Sequence, residues 1–285
     1  MSKRASMLDR RALFSSAAAA ALLAATGVAA AGPNRGGRLR IALSGGSRQD
    51  SWKDGDGLFM QVARQGLVFD TLTEVAADGT LRPELAVSWI SSADAKVWTF
   101  DLRPSVTFHD GMPLTAQDVV RSLGAVIDAE IQALGETRVS ITLANADPGL
   151  PMRLSQSHTI IRPAHAPDTG IGTGLYRVTL FTPGQRLLTE RVAKHYKDGS
   201  AGWFNEVELT SIPSEPVRGQ ALAEFMVDAI DLKDAEPLAG IPEINFMPDR
   251  RYPLQAVSTD IAQPAKTSHL RPLDNLRAAE RWWFA

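Results

Sequence analysis

Residues 81–122 read LRPELAVSWISSADAKVWTFDLRPSVTFHDGMPLTAQDVVRS, a stretch in which a proline-anchored turn, a β-hairpin and a capped helix follow one another with almost no slack. Residues 97–102 alternate, with Trp98, Phe100 and Leu102 on one face and Thr99 and Asp101 on the other, the period-two signature of a half-buried strand. Asp110-Gly111 is a tight-turn dipeptide, and Pro113 holds Met112 in extended geometry. Thr115 then caps a helix, with Asp118 three residues later. Val119, Leu123, Val126 and Ile127 recur at steps of three and four, so the spacing predicts a helix over 116–129 with one buried face.

On either side, strand and helix patterns continue. Residues 38–43 alternate as a strand that ends at Ser44-Gly45-Gly46-Ser47, a loop that lacks the lysine-threonine pair of a phosphate cradle. A helix is expected over 58–67, and residues 69–80 read as strand, turn and return about Ala77-Asp78-Gly79. Residues 138–143 alternate again, while residues 149–154 are too short to assign. Gly170-Ile171-Gly172-Thr173-Gly174 has a dinucleotide-like glycine spacing. Strand patterns follow it over 175–180 and 186–192 about a Pro183-Gly184 turn, where the dinucleotide fingerprint needs a helix. Ser214 opens a further helix with Pro216 in its first turn, and residues 227–230 form a short strand.

The chain has 285 residues, 44% hydrophobic and 22% charged, enough to bury a real core. Its 30 basic and 32 acidic residues leave a formal charge of −2, which gives no electrostatic reason to expect nucleic acid or an anionic membrane as partner. Residues 1–31 read as a secretory signal. Lys3, Arg4, Arg10 and Arg11 form a basic head, residues 12–28 an alanine-rich core, and Ala29-Ala30-Ala31 a small-residue cleavage site. Arg10-Arg11 followed by Leu13-Phe14 is twin-arginine-like, and the core is too short and too alanine-rich for a membrane span. The absence of cysteine excludes disulfides, thiolate metal sites, a catalytic thiol and lipid attachment at a cysteine. A periplasmic protein with no stable membrane insertion after signal removal is the expectation.

No catalytic or metal-binding pattern emerges, and neither enzyme activity nor a cofactor is expected. Asp54-Gly55-Asp56-Gly57 lacks the further ligands of a calcium loop and reads as a solvated turn. His109, His158, His165, His195 and His269 fall on turns or loops without zinc-pair spacing, and read as solvated or hydrogen-bonded. Of the six tryptophans, Trp52 lies in a Gly/Asp-rich loop where packing explains it least, which makes it a candidate ligand-binding residue.

PELAVSW, WTFDLRPSVTFHDG and PLTAQDVVRSL, in this order and spacing, resemble the periplasmic solute-binding proteins of peptide, dipeptide and nickel ABC importers, the family 5 extracellular solute-binding proteins. The resemblance resumes at Gly172-Thr173-Gly174-Leu175-Tyr176-Arg177 and runs through Pro183-Gly184, residues 190–196, 207–213 and Val227-Asp228-Ala229-Ile230. It implies an α/β, mixed-sheet periplasmic-binding-protein-like lobe, with Trp89 and Trp98 structural and Gly172, Thr173 and Gly174 lining a ligand cleft. The implied function is capture of a small peptide or similar solute and its presentation to an ABC permease.

Past residue 238 the resemblance nearly stops. Family members are longer and carry a second lobe, for which residues 239–268 are far too few, below the ~50 residues of a small domain. The expected organisation is a signal segment over 1–31, a first lobe over 32–240 and a proline-rich connector over 241–268. Residues 269–285, ending in Trp282-Trp283-Phe284, are then expected to pack back on that single lobe. The alternative is a non-transport periplasmic scaffold or accessory protein built on one lobe.

Overall fold

The computed structural model describes residues 35–76, 80–247 and 254–258. The expected signal segment over 1–31, the segment over 269–285 and the Ala77-Asp78-Gly79 turn lie outside the described residues. The chain begins with β1 (Arg38–Leu43), α1 (Leu58–Arg64), β2 (Thr73–Val75), β3 (Leu81–Pro83), β4 (Ala86–Ser91) and β5 (Val97–Leu102). It continues with α2 (Ala116–Gly124), β6 (Glu130–Ala133), β7 (Arg138–Thr142), the single turn α3 (Leu150–Arg153), β8 (Tyr176–Thr182) and β9 (Arg186–Arg191). β10 (Glu206–Ser211), α4 (Glu215–Ala223), β11 (Ala229–Leu232), β12 (Ile244–Met247) and β13 (Leu254–Ser258) complete the order.

These strands form a seven-stranded mixed sheet in the order β12-β13-β11-β1-β10-β9-β8 and a four-stranded antiparallel sheet in the order β4-β5-β7-β6. The pair β2-β3 makes a separate ribbon. β1 is parallel to both of its neighbours, β10 and β11, so the strand order reverses at β1. Such central strands are covered on both faces. Leu39, Ile41 and Leu43 enter one apolar cluster with Phe59, Val62, Phe69, Tyr176 and Val207. On the opposite face Ala42, Ile230 and Leu232 pack under α4 through Leu222 and Ala221.

The four-stranded sheet buries the face read from the alternation at 97–102. Trp98, Phe100 and Leu102 meet Val139 and Ile141 from β7 and Val119 and Leu123 from α2. The Asp118 carboxylate ties the start of α2, accepting from the Thr115 N–H and hydroxyl, each at 2.8 Å. The expected α/β mixed-sheet lobe is thus the observed fold.

Three element boundaries differ from the sequence reading. α1 stops at Arg64 instead of residue 67, where Gly66 turns the backbone at φ +104°. α2 stops at Gly124 instead of residue 129, leaving Val126 exposed and freeing residues 130–133 to become the edge strand β6. The expected connector over 241–268 contains β12 and β13, which pair with each other and extend the large sheet beyond β11. Pro242 precedes this hairpin and Pro248 and Pro253 fall between its strands, so the prolines punctuate the strands without interrupting them.

Candidate solute-binding edge and its buried support

The Gly172-Thr173-Gly174 segment is held from three sides. On one side Val68 and Leu67 lie so close that a Cβ on Gly172 would stand 1.8 Å from the Val68 carbonyl oxygen. On the second side, the His109 N–H donates to the Gly172 carbonyl at 2.9 Å, its Nε2 lies 2.8 Å from the Gly174 carbonyl, and its Nδ1 receives the Gly172 N–H at 3.3 Å. On the third, His195 Nε2 lies 2.9 Å from the Thr173 carbonyl and its Nδ1 receives the Lys197 N–H at 3.1 Å. A carbonyl only accepts, so both rings donate through Nε2 and accept through Nδ1, the neutral tautomer. Burial pushes the His109 pKa down. Thr173 and Gly174, with His109, Arg177, Glu190 and Lys194, line an open cleft of about 360 Å³.

Beneath this segment lies a buried ionic cluster. Lys197 Nζ stands 2.7 Å from Glu74 Oε2 and 2.8 Å from Glu84 Oε1. The other Glu84 oxygen accepts from the Thr71 N–H and hydroxyl, and Asp70 accepts from the Thr173 hydroxyl at 2.9 Å. Lys197 and, on Glu74, Arg82 meet these carboxylates, and Arg103 lies over the Tyr196 ring at 4.6 Å. Burial opposes charge on Lys197, yet Glu74 and Glu84 hold its pKa above the ordinary value. Burial likewise works against the Asp70 carboxylate, and hydrogen bonding from His195 with the Lys197 charge holds its pKa below the usual range. Burial and the surrounding carboxylates push the Tyr196 phenol well up.

At the carboxyl end of β1 the backbone is stapled down. Ser44 gives its N–H and hydroxyl to the two Asp231 oxygens at 2.8 and 2.7 Å. Arg218, 2% exposed, reaches the same carboxylate and the carbonyls of Asp231, Ile212 and Pro213, joining the ends of β10 and β11. Gly46 lies against Ser211, where a Cβ would meet the hydroxyl at 2.2 Å. In open sheets the crevice outside the carboxyl ends of parallel strands, where strand order reverses, is where ligands bind. Here that place is the edge of β1, β10 and β11, crossed by the loop over 44–57.

Trp52, expected to be poorly explained by packing, is 8% exposed. Its ring tilts onto Phe181 at 4.7 Å and meets Phe69 edge-on at 6.0 Å, with Gly170 against its indole. Packing therefore accounts for it, and it pins the loop over 44–57 to the turn before Gly172. The Gly/Asp composition that suggested an open loop describes its neighbours, since Asp54 and Asp56 are exposed. Sequence reading missed the ionic cluster, because Asp70, Glu74, Glu84 and Lys197 are brought together only by tertiary structure. Among the described residues no group of three or more histidines and carboxylates is arranged to hold a metal ion, and no helix is long and apolar enough to cross a membrane.

Comparison with known proteins places these features in context. The family model of bacterial extracellular solute-binding proteins, family 5 Middle, matches residues 80–259. Among curated relatives, the nickel-binding periplasmic protein of Escherichia coli K12 is 35% identical over 100 residues, 30% of this chain and 19% of its own length. The HTH-type transcriptional regulator SgrR of Pectobacterium atrosepticum is 32% identical over 183 residues, 59% of this chain and 32% of that protein. The probable D,D-dipeptide-binding periplasmic protein DdpA of Escherichia coli K12 is 27% identical over 195 residues, 60% of this chain and 37% of that protein. Among solved structures, the PBP AgaA from A. tumefaciens R10 in complex with agropinic acid matches with a TM-score of 0.67 at 27% identity, covering 74% of this chain and 48% of that one. The chain thus spans about half of that solved structure and about a fifth to a third of these curated relatives.

Proposed function

Because the chain belongs to the bacterial extracellular solute-binding proteins, family 5, we propose that it is a periplasmic solute-binding lobe of a peptide-type ABC import system, capturing a small peptide or related solute for an ABC permease. One observation carries this reading. A mixed sheet whose order reverses at β1 presents a stapled carboxyl edge, in a chain that matches the AgaA fold over 74% of its length. Export depends on residues 1–31, with Arg10 and Arg11 directing a twin-arginine route. Thr173 and Gly174 contact solute through the open cleft, and Trp52 acts by holding its loop. On this reading residues 269–285, which lie outside the described residues, are expected to pack back on the lobe. Deleting residues 281–285 then lowers the melting temperature, and an unchanged value would make this segment a free tail.

A second reading, a non-transport scaffold or accessory protein, is favoured by the similarity to the HTH-type transcriptional regulator SgrR over 59% of this chain. Native purification from the periplasm followed by mass spectrometry separates the two. A carrier releases a small peptide or related solute on denaturation. A scaffold co-purifies with a protein and releases no solute, and that result would overturn the import reading.

A further inference from the structure

Two histidines hold the segment over 172–174, and each is committed through both ring nitrogens. His109 donates from Nε2 to the Gly174 carbonyl at 2.8 Å and receives the Gly172 N–H on Nδ1 at 3.3 Å. His195 donates from Nε2 to the Thr173 carbonyl at 2.9 Å and receives the Lys197 N–H on Nδ1 at 3.1 Å. Both side chains line the open cleft beside Thr173 and Gly174, which gives protons a path to them.

Only a neutral ring can make these bonds. A further proton must go to Nδ1, where it turns the acceptor into a donor facing an N–H. Protonation of His109 therefore repels the Gly172 N–H, and protonation of His195 repels the Lys197 N–H. The Val68 carbonyl leaves no slack at Gly172, so a repelled N–H displaces the segment and not merely a side chain. Asp70, 3.8 Å from His195 Nε2, favours a proton on both rings. At His109 burial opposes it most, joined by the charges of His195 and of Arg177 on β8. Asp110, the next residue, is turned to His165 at 2.7 Å. Around His195, Asp198 accepts its backbone N–H at 3.0 Å, the Tyr196 ring lies against it at 4.2 Å, and Lys197 is spent on Glu74 and Glu84. Glu190, Arg191 and Lys194 line the same cleft.

We propose that His109 and His195 are positioning residues for the solute, setting the segment over 172–174 while neutral and releasing it when protonated, so that capture is proton-linked and weakens in mild acid. This deepens the solute-binding reading and rests on its assignment of Thr173 and Gly174 as solute contacts.

The test is an NMR titration of the full chain from pH 7 to 5, following both imidazole rings and the backbone amides, first alone and then with trialanine, whose terminal charges hold over that range. The Gly172 and Lys197 N–H signals are expected to move with the midpoints of the His109 and His195 rings, while the Phe100 N–H in the four-stranded sheet stays in place. Trialanine is expected to bind about three- to ten-fold more weakly at pH 5.5 than at pH 7. Glutamine keeps a donor and an acceptor but does not titrate, so His109→Gln and His195→Gln should each reduce this ratio and together bring it to about one. If either variant fails to fold, the wild-type amides decide. Rings that titrate with Gly172 and Lys197 unmoved, or rings that stay neutral down to pH 5 in the folded chain, would overturn the positioning role. Equal trialanine affinity at both pH values would overturn the proton linkage. If the amides follow the rings and trialanine binds at neither pH, the peptide reading fails and the linkage with it, while the hold of the two rings on the segment stands.

Discussion

Lys197 is the residue on which the buried cluster depends. It meets Glu74 and Glu84 with its side chain 8% exposed, so Lys197→Met leaves two carboxylates facing each other and should cost about 3 to 5 kcal/mol in urea unfolding. The same groups set a pH window. The Asp70 pKa is held down in the fold, so its contribution is present above about pH 4 and is lost as pH falls further. His109 is also held down, so the unfolded chain takes up a proton first and stability falls as pH drops below about 6.5. The Lys197 and Tyr196 pKa values are held up, and their contributions are lost as pH rises past about 10. Stability measured by urea midpoint should therefore be flat from about pH 7 to 10 and fall on both sides. His109→Asn should lower it by about 1 to 3 kcal/mol at pH 7 and flatten the fall toward pH 5. A midpoint that rises between pH 7 and 5 in the wild type would contradict the neutral tautomer assigned to this ring.

At the scale of elements, Asp118 joins local and tertiary order. Besides capping α2 it accepts the Ala164 N–H at 2.7 Å, and it is 5% exposed. Asp118→Ala removes three charge-assisted bonds and should cost about 2 to 3 kcal/mol, with amide exchange quickened at Thr115 and at Ala164 alike. Confinement of the exchange to α2 would show the Ala164 bond to be dispensable. The cap itself was legible because its two residues stand three apart, whereas the Ala164 bond spans 46 residues and leaves no local pattern. Strands β5 and β7 were legible for a similar reason, their alternation being set by one buried face. The hairpin β12-β13 was masked by its prolines, although Ile244 and Phe246 alternate with Asn245 as a strand requires. Gly172 marks the limit of such reading. Its place in the family pattern suggested a cleft, but the 1.8 Å approach of the Val68 oxygen also makes it a packing requirement. Gly172→Ala should cost about 3 kcal/mol in thermal unfolding, and a neutral effect would mean that the backbone there yields.

For the whole molecule, a two-lobed binder buries most of its ligand's surface by closing over it, while a single lobe offers one wall. Losing about half the contacts would take a micromolar binder, near −8 kcal/mol, toward millimolar, near −4 kcal/mol. Tighter capture then needs a second wall. The most direct measurement is calorimetry of the monomeric chain with short peptides, paired with solution scattering of the same samples. Binding near millimolar with an unchanged radius of gyration is the expected result. Submicromolar binding with measurable compaction would contradict it, because the chain would then close over its solute with both walls its own.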